Sequence, residues 1–308
     1  MAAALKTAVS AVALTFAALG SAQAAVLDLS SLMGGANVFS FGNFSAPSAD
    51  VEGSIVAAGN VSLSSYTVNQ KNKDAYGHYA LIAGGSLNFK GGDILNGDTY
   101  AGKGSTISNA TTASKVQSGK SPVDFAATES KLTQTSKSLD KLATTAKAEE
   151  KWGGVYITGS KKAVEIIDLN ASSLQKSTYF DISGMAKGAT LIVNVSGNSA
   201  LFQGGYQAFD GYNVLFNFAD ATSLKINTGA NVSILAPNAV VSGGQGVING
   251  NVIVDAWASQ VQINATNFFK STNVQGFTSP VPEPETYAML LAGLGVIGFM
   301  ARRRKTAR

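Results

Sequence analysis

The run Asp50-Val51-Glu52-Gly53-Ser54-Ile55-Val56-Ala57-Ala58-Gly59-Asn60-Val61-Ser62-Leu63 sets the architecture of the chain. Ile55 and Val56 form a strand core. Gly59-Asn60 reads as a turn, because both residue types tolerate positive φ. Val61 and Leu63 share one face at the period of two that a strand imposes. A related phrase follows at Tyr79-Ala80-Leu81-Ile82-Ala83-Gly84-Gly85-Ser86-Leu87-Asn88-Phe89. Laying Ile55 on Ala80 gives strand, glycine turn, strand twice, at an offset of about 25 residues, the length of one coil in a solenoid.

The same grammar resumes over residues 155–277. Val155-Tyr156-Ile157, Leu191-Ile192-Val193-Asn194-Val195, Val214-Leu215-Phe216-Asn217-Phe218, Val232-Ser233-Ile234-Leu235 and Asn251-Val252-Ile253-Val254 are its clearest strands. Beyond Leu215 they recur every eight to ten residues or so, with Asn, Gly or Pro-Asn between them. The expected fold class is mainly β, a right-handed parallel β-helix-like body. A β-sandwich is the alternative, disfavoured because the Gly-Asn turns recur without clear hairpin pairing.

Between the two blocks, residues 124–151 are rich in Ala, Lys, Glu, Thr and Leu and contain no Gly or Pro. Phe125, Leu132, Leu139 and Ala146 recur every seventh residue, and Leu142 joins their stripe. The pattern predicts one flanking amphipathic helix of about seven turns. Asp124 or Ser121 would cap it, with Pro122 near its start and Gly153-Gly154 as its stop. The stripe reads as packing against the body, and Lys131, Lys137, Lys141 and Lys147 as a solvated face.

The two ends carry addresses. Lys6, a small apolar stretch over residues 7–19 and Ala22-Gln23-Ala24 make a secretory signal peptide over residues 1–24, cleaved at the Ala22 and Ala24 site. At the other end Val281-Pro282-Glu283-Pro284 precedes an apolar run over 287–301 and then Arg302-Arg303-Arg304-Lys305. The run falls short of the ~20 residues a stable span prefers, and three glycines weaken it further. It reads as a short transmembrane helix whose Arg/Lys cluster stays cytoplasmic, leaving the body outside the inner membrane. The organisation is therefore signal peptide 1–24, β-rich domain 25–279 and sorting tail 280–308.

The formal charge of +4 misleads, because Lys6 and five of the other basic residues belong to these targeting segments. The body has no basic excess, so nucleic acid is not an expected partner. There is no cysteine, which removes disulfides, thiol nucleophiles and cysteine zinc sites. With 33 glycines and only 14% charged residues, the profile is that of an extracellular β-rich protein with many tight corners.

Val281-Pro282-Glu283-Pro284, the apolar run and Arg302-Arg303-Arg304 resemble the PEP-CTERM sorting signal of Gram-negative bacteria. The resemblance implies an exosortase that recognises Pro-Glu-Pro and removes the tail during export. It also implies transient anchoring in the membrane and a destination at the cell surface or in the extracellular matrix. The phrases from Asp50 to Leu63 and from Leu81 to Phe89, with Gly91-Gly92-Asp93-Ile94 after them, resemble the choice-of-anchor A domain. That resemblance implies an adhesive domain with alternative surface anchors and no catalytic residues to carry over. A β-helix with one helix along its side is also the fold of the bacterial ice-binding proteins.

Little is left for catalysis. The single histidine, His78, follows Lys71-Asn72-Lys73-Asp74 and reads as an exposed loop residue. Asp93 and Asp98 lie near Gly91, Gly92 and Gly97, but the glycine-aspartate repeat of calcium-binding β-rolls is absent, so they read as turn carboxylates. Glycosidase chemistry needs two carboxylates ~5–10 Å apart, which a sequence cannot pair. No catalytic residue, metal ligand or cofactor is expected. Tyr66, Tyr76, Tyr79, Tyr100, Tyr206 and Tyr212 lie in Gly/Asn-rich segments, and Tyr66, Tyr79 and Tyr100 are the candidates for stacking on sugar rings. Thr106, Thr111 and Thr112 cluster without a sustained Thr-x-Thr ladder, which disfavours ice binding. The expected function is that of an exported, surface-sorted structural or adhesive protein that is not an enzyme. It would act in attachment or in an exopolysaccharide matrix, with exopolysaccharide or surface glycans as partners. The alternatives are a polysaccharide-degrading enzyme on the same scaffold and an ice or crystal binder.

Overall fold

Nine strands lie side by side in one parallel ladder, and their order in space is not their order in the chain. In the computed structural model, which describes residues 24–280, the ladder runs Val164–Asn170, Thr190–Ser196, Asn213–Asn217, Ser233–Ser242, Val252–Ala258, Val38–Ser40, Ile55–Ala57, Tyr79–Ala83 and Asp98–Ala101. The chain thus starts winding in the middle of its own body. Residues 38–112 form the upper coils. A long helix then returns the chain to the far end, and residues 154–264 wind back to meet the first coil. The seam touches three faces: Val38 stands on Val252, Phe44 on Trp257 and Val51 on Ile263. The Phe44 and Trp257 rings stack across it, 5.9 Å apart and nearly parallel. The molecule is mainly β with parallel sheets, consistent with a β-helix-like body. Among the described residues the strand pairs of its large sheet are parallel, not the antiparallel pairs a β-sandwich uses.

The first face, formed by that nine-strand ladder, is largely buried on both sides. Ile55, Leu81 and Val252 point into the coil, while Leu235, Ile253, Phe39, Val56, Ile82 and Tyr100 form an outer row covered by other segments. A layer buried on both sides shows no alternation, and Tyr79–Ala83 is buried at all its positions. The second and third faces alternate instead, as in Val61–Val68 and Leu87–Ile94, where Val61, Leu63, Leu87 and Phe89 point inward.

The register corrects the expected repeat by one residue. Ile55 stands on Leu81 and Val61 on Leu87, so Ala80 is not the partner of Ile55. A one-residue slip turns every side chain to the opposite face. The reason for Gly59 also differs from expectation. It is absent from the positive-φ residues. It is needed because coils stack tightly at this corner: a Cβ on Gly59 would lie 2.7 Å from the carbonyl carbon of Gly42, and one on Gly85 2.8 Å from that of Gly59.

The flanking helix is shorter than 124–151. It spans Phe125–Asp140, and Asp124 caps it by accepting a 3.0 Å hydrogen bond from the Ala127 N–H. Leu132 and Leu139 are buried, as the stripe requires. Two asparagines fix the helix to the first face. Asn217 donates to the Ser136 carbonyl at 3.0 Å and accepts from the Ser136 hydroxyl at 2.6 Å. Asn194 donates to the Leu139 carbonyl at 2.9 Å.

After Asp140 the β-branched Thr145 is taken by the sheet: its N–H donates to the Ile166 carbonyl and its hydroxyl to Glu165. Lys147–Lys151 then pairs antiparallel with Gly154–Thr158. The hairpin turn is Trp152-Gly153, with φ of +51° and +79°. Positive φ at both central residues is the signature of a type I′ turn. Gly153-Gly154 therefore belongs to a hairpin, not to a helix stop. At the ends of the described chain, Ala25–Leu27 pairs antiparallel with Thr272–Val274.

Candidate functional site

The three candidate tyrosines are not a platform. Tyr66 is 1% exposed, and its ring packs edge-on against Phe44, 6.4 Å away, inside the coil. Tyr100 is 3% exposed and its hydroxyl donates to the Gly119 carbonyl at 2.7 Å. Tyr79 is 9% exposed, with its hydroxyl donating to Gln117 at 3.2 Å. Tyr66 fills the coil from inside, while Tyr79 and Tyr100 belong to the covered outer row of the first face, so all three serve packing. Burial pushes the Tyr66 and Tyr206 hydroxyls far above the usual tyrosine range. Asp93 accepts a short hydrogen bond from the Thr111 hydroxyl. Asp98 accepts from Gln117 at 2.7 Å and lies 3.6 Å from His78, whose side chain is exposed. Among the described residues no group of three or more His, Cys, Asp or Glu is placed to hold a metal.

Val281, Pro282, Glu283, Pro284, Arg302, Arg303, Arg304 and Ala22 lie outside the described residues, as does the segment 287–301. Ala24 is exposed, just before the strand Ala25–Leu27. Among the described residues no helix is long and apolar enough to cross a membrane.

The surface that the coils do build is on the second face. Thr106 stands on Asn88, Asn88 on Ser62, Ser62 on Ser45, Ser45 on Ala258 and Ala258 on Ser242. All six side chains are exposed. Strands stack about 4.8 Å apart, so the row is a regular strip of hydroxyl, amide and methyl groups crossing the seam without interruption. A second exposed row, Ser108, Lys90, Ser64 and Pro47, runs beside its upper half. A 400 Å³ depression lined by Asn88, Lys103, Ser105 and Thr106 marks its upper end. Sequence reasoning missed this row, because the one-residue slip paired Leu63 with Asn88 and so turned Asn88 inward. The alternation in Val61-Ser62-Leu63 and Leu87-Asn88-Phe89 was the signal that finds it.

The flank of the long helix offers a groove of 570 Å³, lined among others by Phe41, Glu129, Lys137, Pro237 and Asp255. Burial, and then the charge of Asp255, raise the Glu129 carboxyl above its ordinary value. Elsewhere Glu165 is fully buried. Desolvation alone would raise its pKa, but hydrogen bonds from Thr145, Ser160 and Lys162 outweigh this and hold it below the usual glutamate value.

Residues 30–265 match the family of ice-binding-like adhesive domains, and the chain belongs to that family. Residues 280–305 match the PEP-CTERM protein-sorting motif, the signal that an exosortase recognises. The two matches together indicate an exported, surface-associated protein. No curated protein and no solved structure matches it.

Proposed function

We propose that this protein attaches cells or matrix through the flat second face, without turning over what it binds. The observation that carries the reading is the uninterrupted exposed row from Thr106 to Ser242. Short side chains on a regular lattice lose little conformational entropy on contact, so a broad surface can be held by many weak bonds. In this reading the domain is of the choice-of-anchor A kind with a right-handed coil. The signal peptide is cleaved after Ala24. Residues 287–301 hold the protein in the inner membrane of a Gram-negative cell until an exosortase removes the tail at Pro282-Glu283-Pro284. The ligand is exopolysaccharide or a surface glycan.

The test is a pull-down with the producer's own exopolysaccharide, with chain length followed in the same tubes. Binding without shortening is expected, and the double variant Ser62→Arg/Asn88→Arg should bind much less. Shortening of the polysaccharide would overturn the reading in favour of an enzyme, and Glu129 and Asp255 in the groove would be the carboxylates to replace first.

A further inference from the structure

The hairpin tip spends an aromatic ring where the fold has no use for one. Trp152 is 80% exposed. It also sits at φ +51°, a conformation that bulky residues rarely adopt and that Asn adopts readily in a type I′ turn. Burial therefore does not compensate the strain, and strained residues that persist tend to mark contact sites.

Its surroundings are ordered. Tyr156 meets the indole edge-on at 5.6 Å, and Tyr179 meets Tyr156 edge-on at 5.9 Å. The two tyrosine hydroxyls share a 2.6 Å hydrogen bond. The Tyr179 ring lies on Gly154, where a Cβ would come within 2.6 Å of it. The Lys151 ammonium lies 4.5 Å from the centre of the Tyr156 ring and 5.2 Å from that of Trp152. Beside the turn is a 180 Å³ recess lined by Glu150, Lys151, Gly153, Gly154, Lys176 and Ser177.

We propose that this tip is a binding site for neutral pyranose units of a polysaccharide, with Trp152 stacking on a sugar face and the recess taking its hydroxyls. An exposed indole braced by a second ring offers a flat apolar surface of the size of a sugar ring. The recess presents an acceptor, Glu150, and donors, Lys151 and Lys176, side by side. Hydroxyl groups both donate and accept and so satisfy such a mixed lining. Glu149 lies 3.5 Å from Lys151, so the two glutamates and two lysines around the recess balance and give a carboxylated sugar no net attraction. This site rests on the polysaccharide reading above but lies on a different part of the body from the flat face.

The full chain has two tryptophans, and the second, Trp257, is 1% exposed against Phe44. A change in intrinsic fluorescence on titration therefore reports Trp152. The test titrates the full chain with hydroxyethyl cellulose as a neutral glucan, with dextran, and with alginate as a polyuronate. Hydroxyethyl cellulose or dextran should shift and saturate the emission. Trp152→Asn lacks this reporter, so its binding is read beside that of the unaltered chain by isothermal titration calorimetry, where it should weaken about tenfold or more, the loss of one good aromatic contact. Asn-Gly is the favoured type I′ pair, so the melting temperature of this variant should be unchanged or higher. Full binding by Trp152→Asn, with binding lost in Ser62→Arg/Asn88→Arg, would overturn the tip and leave the flat face standing. Preference for alginate would overturn the neutral assignment. No binding by the unaltered chain of these polymers in the calorimeter, nor of the producer's own exopolysaccharide in the pull-down, would overturn both readings.

Discussion

The upper coils, residues 38–112, and the lower coils, residues 154–264, follow one winding rule but are filled and finished differently. Inside the lower coils Phe180, Phe202, Tyr206, Phe209 and Phe216 form a single cluster of touching rings. The upper interior is mostly aliphatic, with Val61, Leu63, Leu87 and Ile94 around Phe44, Tyr66 and Phe89. The lower edge of the third face is covered by the antiparallel strand Lys147–Lys151, whose five residues include four charges. At the top, Ser105–Thr112 pairs with Leu87–Ile94 and carries no charge. Unpaired strand edges invite association, and charged side chains on an edge oppose it. The contrast teaches that winding is set by stacked inward rows, while each end needs its own solution.

The comparison breaks most readily at the seam, the one place where the two blocks must agree. Trp257→Ala removes a buried ring stacked on Phe44 and should cost about 3–5 kcal/mol. If the blocks form one cooperative unit, a single thermal transition should move down. Two separate transitions, with only one displaced, would show independent blocks.

Glu165 tests the lower block alone. Glu165→Gln weakens a buried acceptor bonded to Thr145, Ser160 and Lys162 and should cost about 2–3 kcal/mol at neutral pH. Its folded pKa is lowered, so its contribution is present above the ordinary glutamate value of about 4.3 and is lost as pH falls through the folded value. The gap between the melting temperatures of the two proteins should therefore narrow as pH falls below about 4.3, and a gap that stays constant on acidification would sink the argument.

Asn217→Ala frees the Ser136 hydroxyl and carbonyl and should cost about 1–2 kcal/mol. Hydrogen exchange should rise first in Phe125–Asp140, while unchanged exchange there would mean that the helix is held by Leu132 and Leu139 alone. The smallest effect belongs to Asp124→Ala, about 1 kcal/mol from a lost cap, with faster exchange confined to the first turn.

Much of this was legible in the sequence, for identifiable reasons. The alternation around Val61 and Leu87 specified a half-buried strand, and the seven-residue stripe from Phe125 to Leu139 specified a covering helix. Where alternation vanished, register could not be read: Tyr79–Ala83 is buried on both sides, and nothing in it distinguishes Ala80 from Leu81 as the partner of Ile55. The hairpin was hidden because Lys147-Ala148-Glu149-Glu150-Lys151 has the composition of a helix, and only pairing with Gly154–Thr158 decides otherwise. The tyrosines are buried for reasons their glycine-rich neighbours do not show: register turns Tyr66 into the coil, and segments distant in sequence cover Tyr79 and Tyr100. The seam leaves no local signal, since its partners lie at opposite ends of the body's sequence.

A solenoid that begins winding at its own midpoint cannot close until nearly all of it has been made. When residues 38–112 are first synthesised, the lower side of Val38–Ser40 is bare, and its partner Val252–Ala258 does not yet exist. Contacts so distant in sequence form late and slowly. Thr272–Val274, which zips to Ala25–Leu27, comes later still, and the sorting motif at 280–305 follows it. The order of synthesis is thus also an order of completion. The address label comes after the last strand needed to finish the body, so a chain cut short before the seam is also a chain without its ticket to the surface.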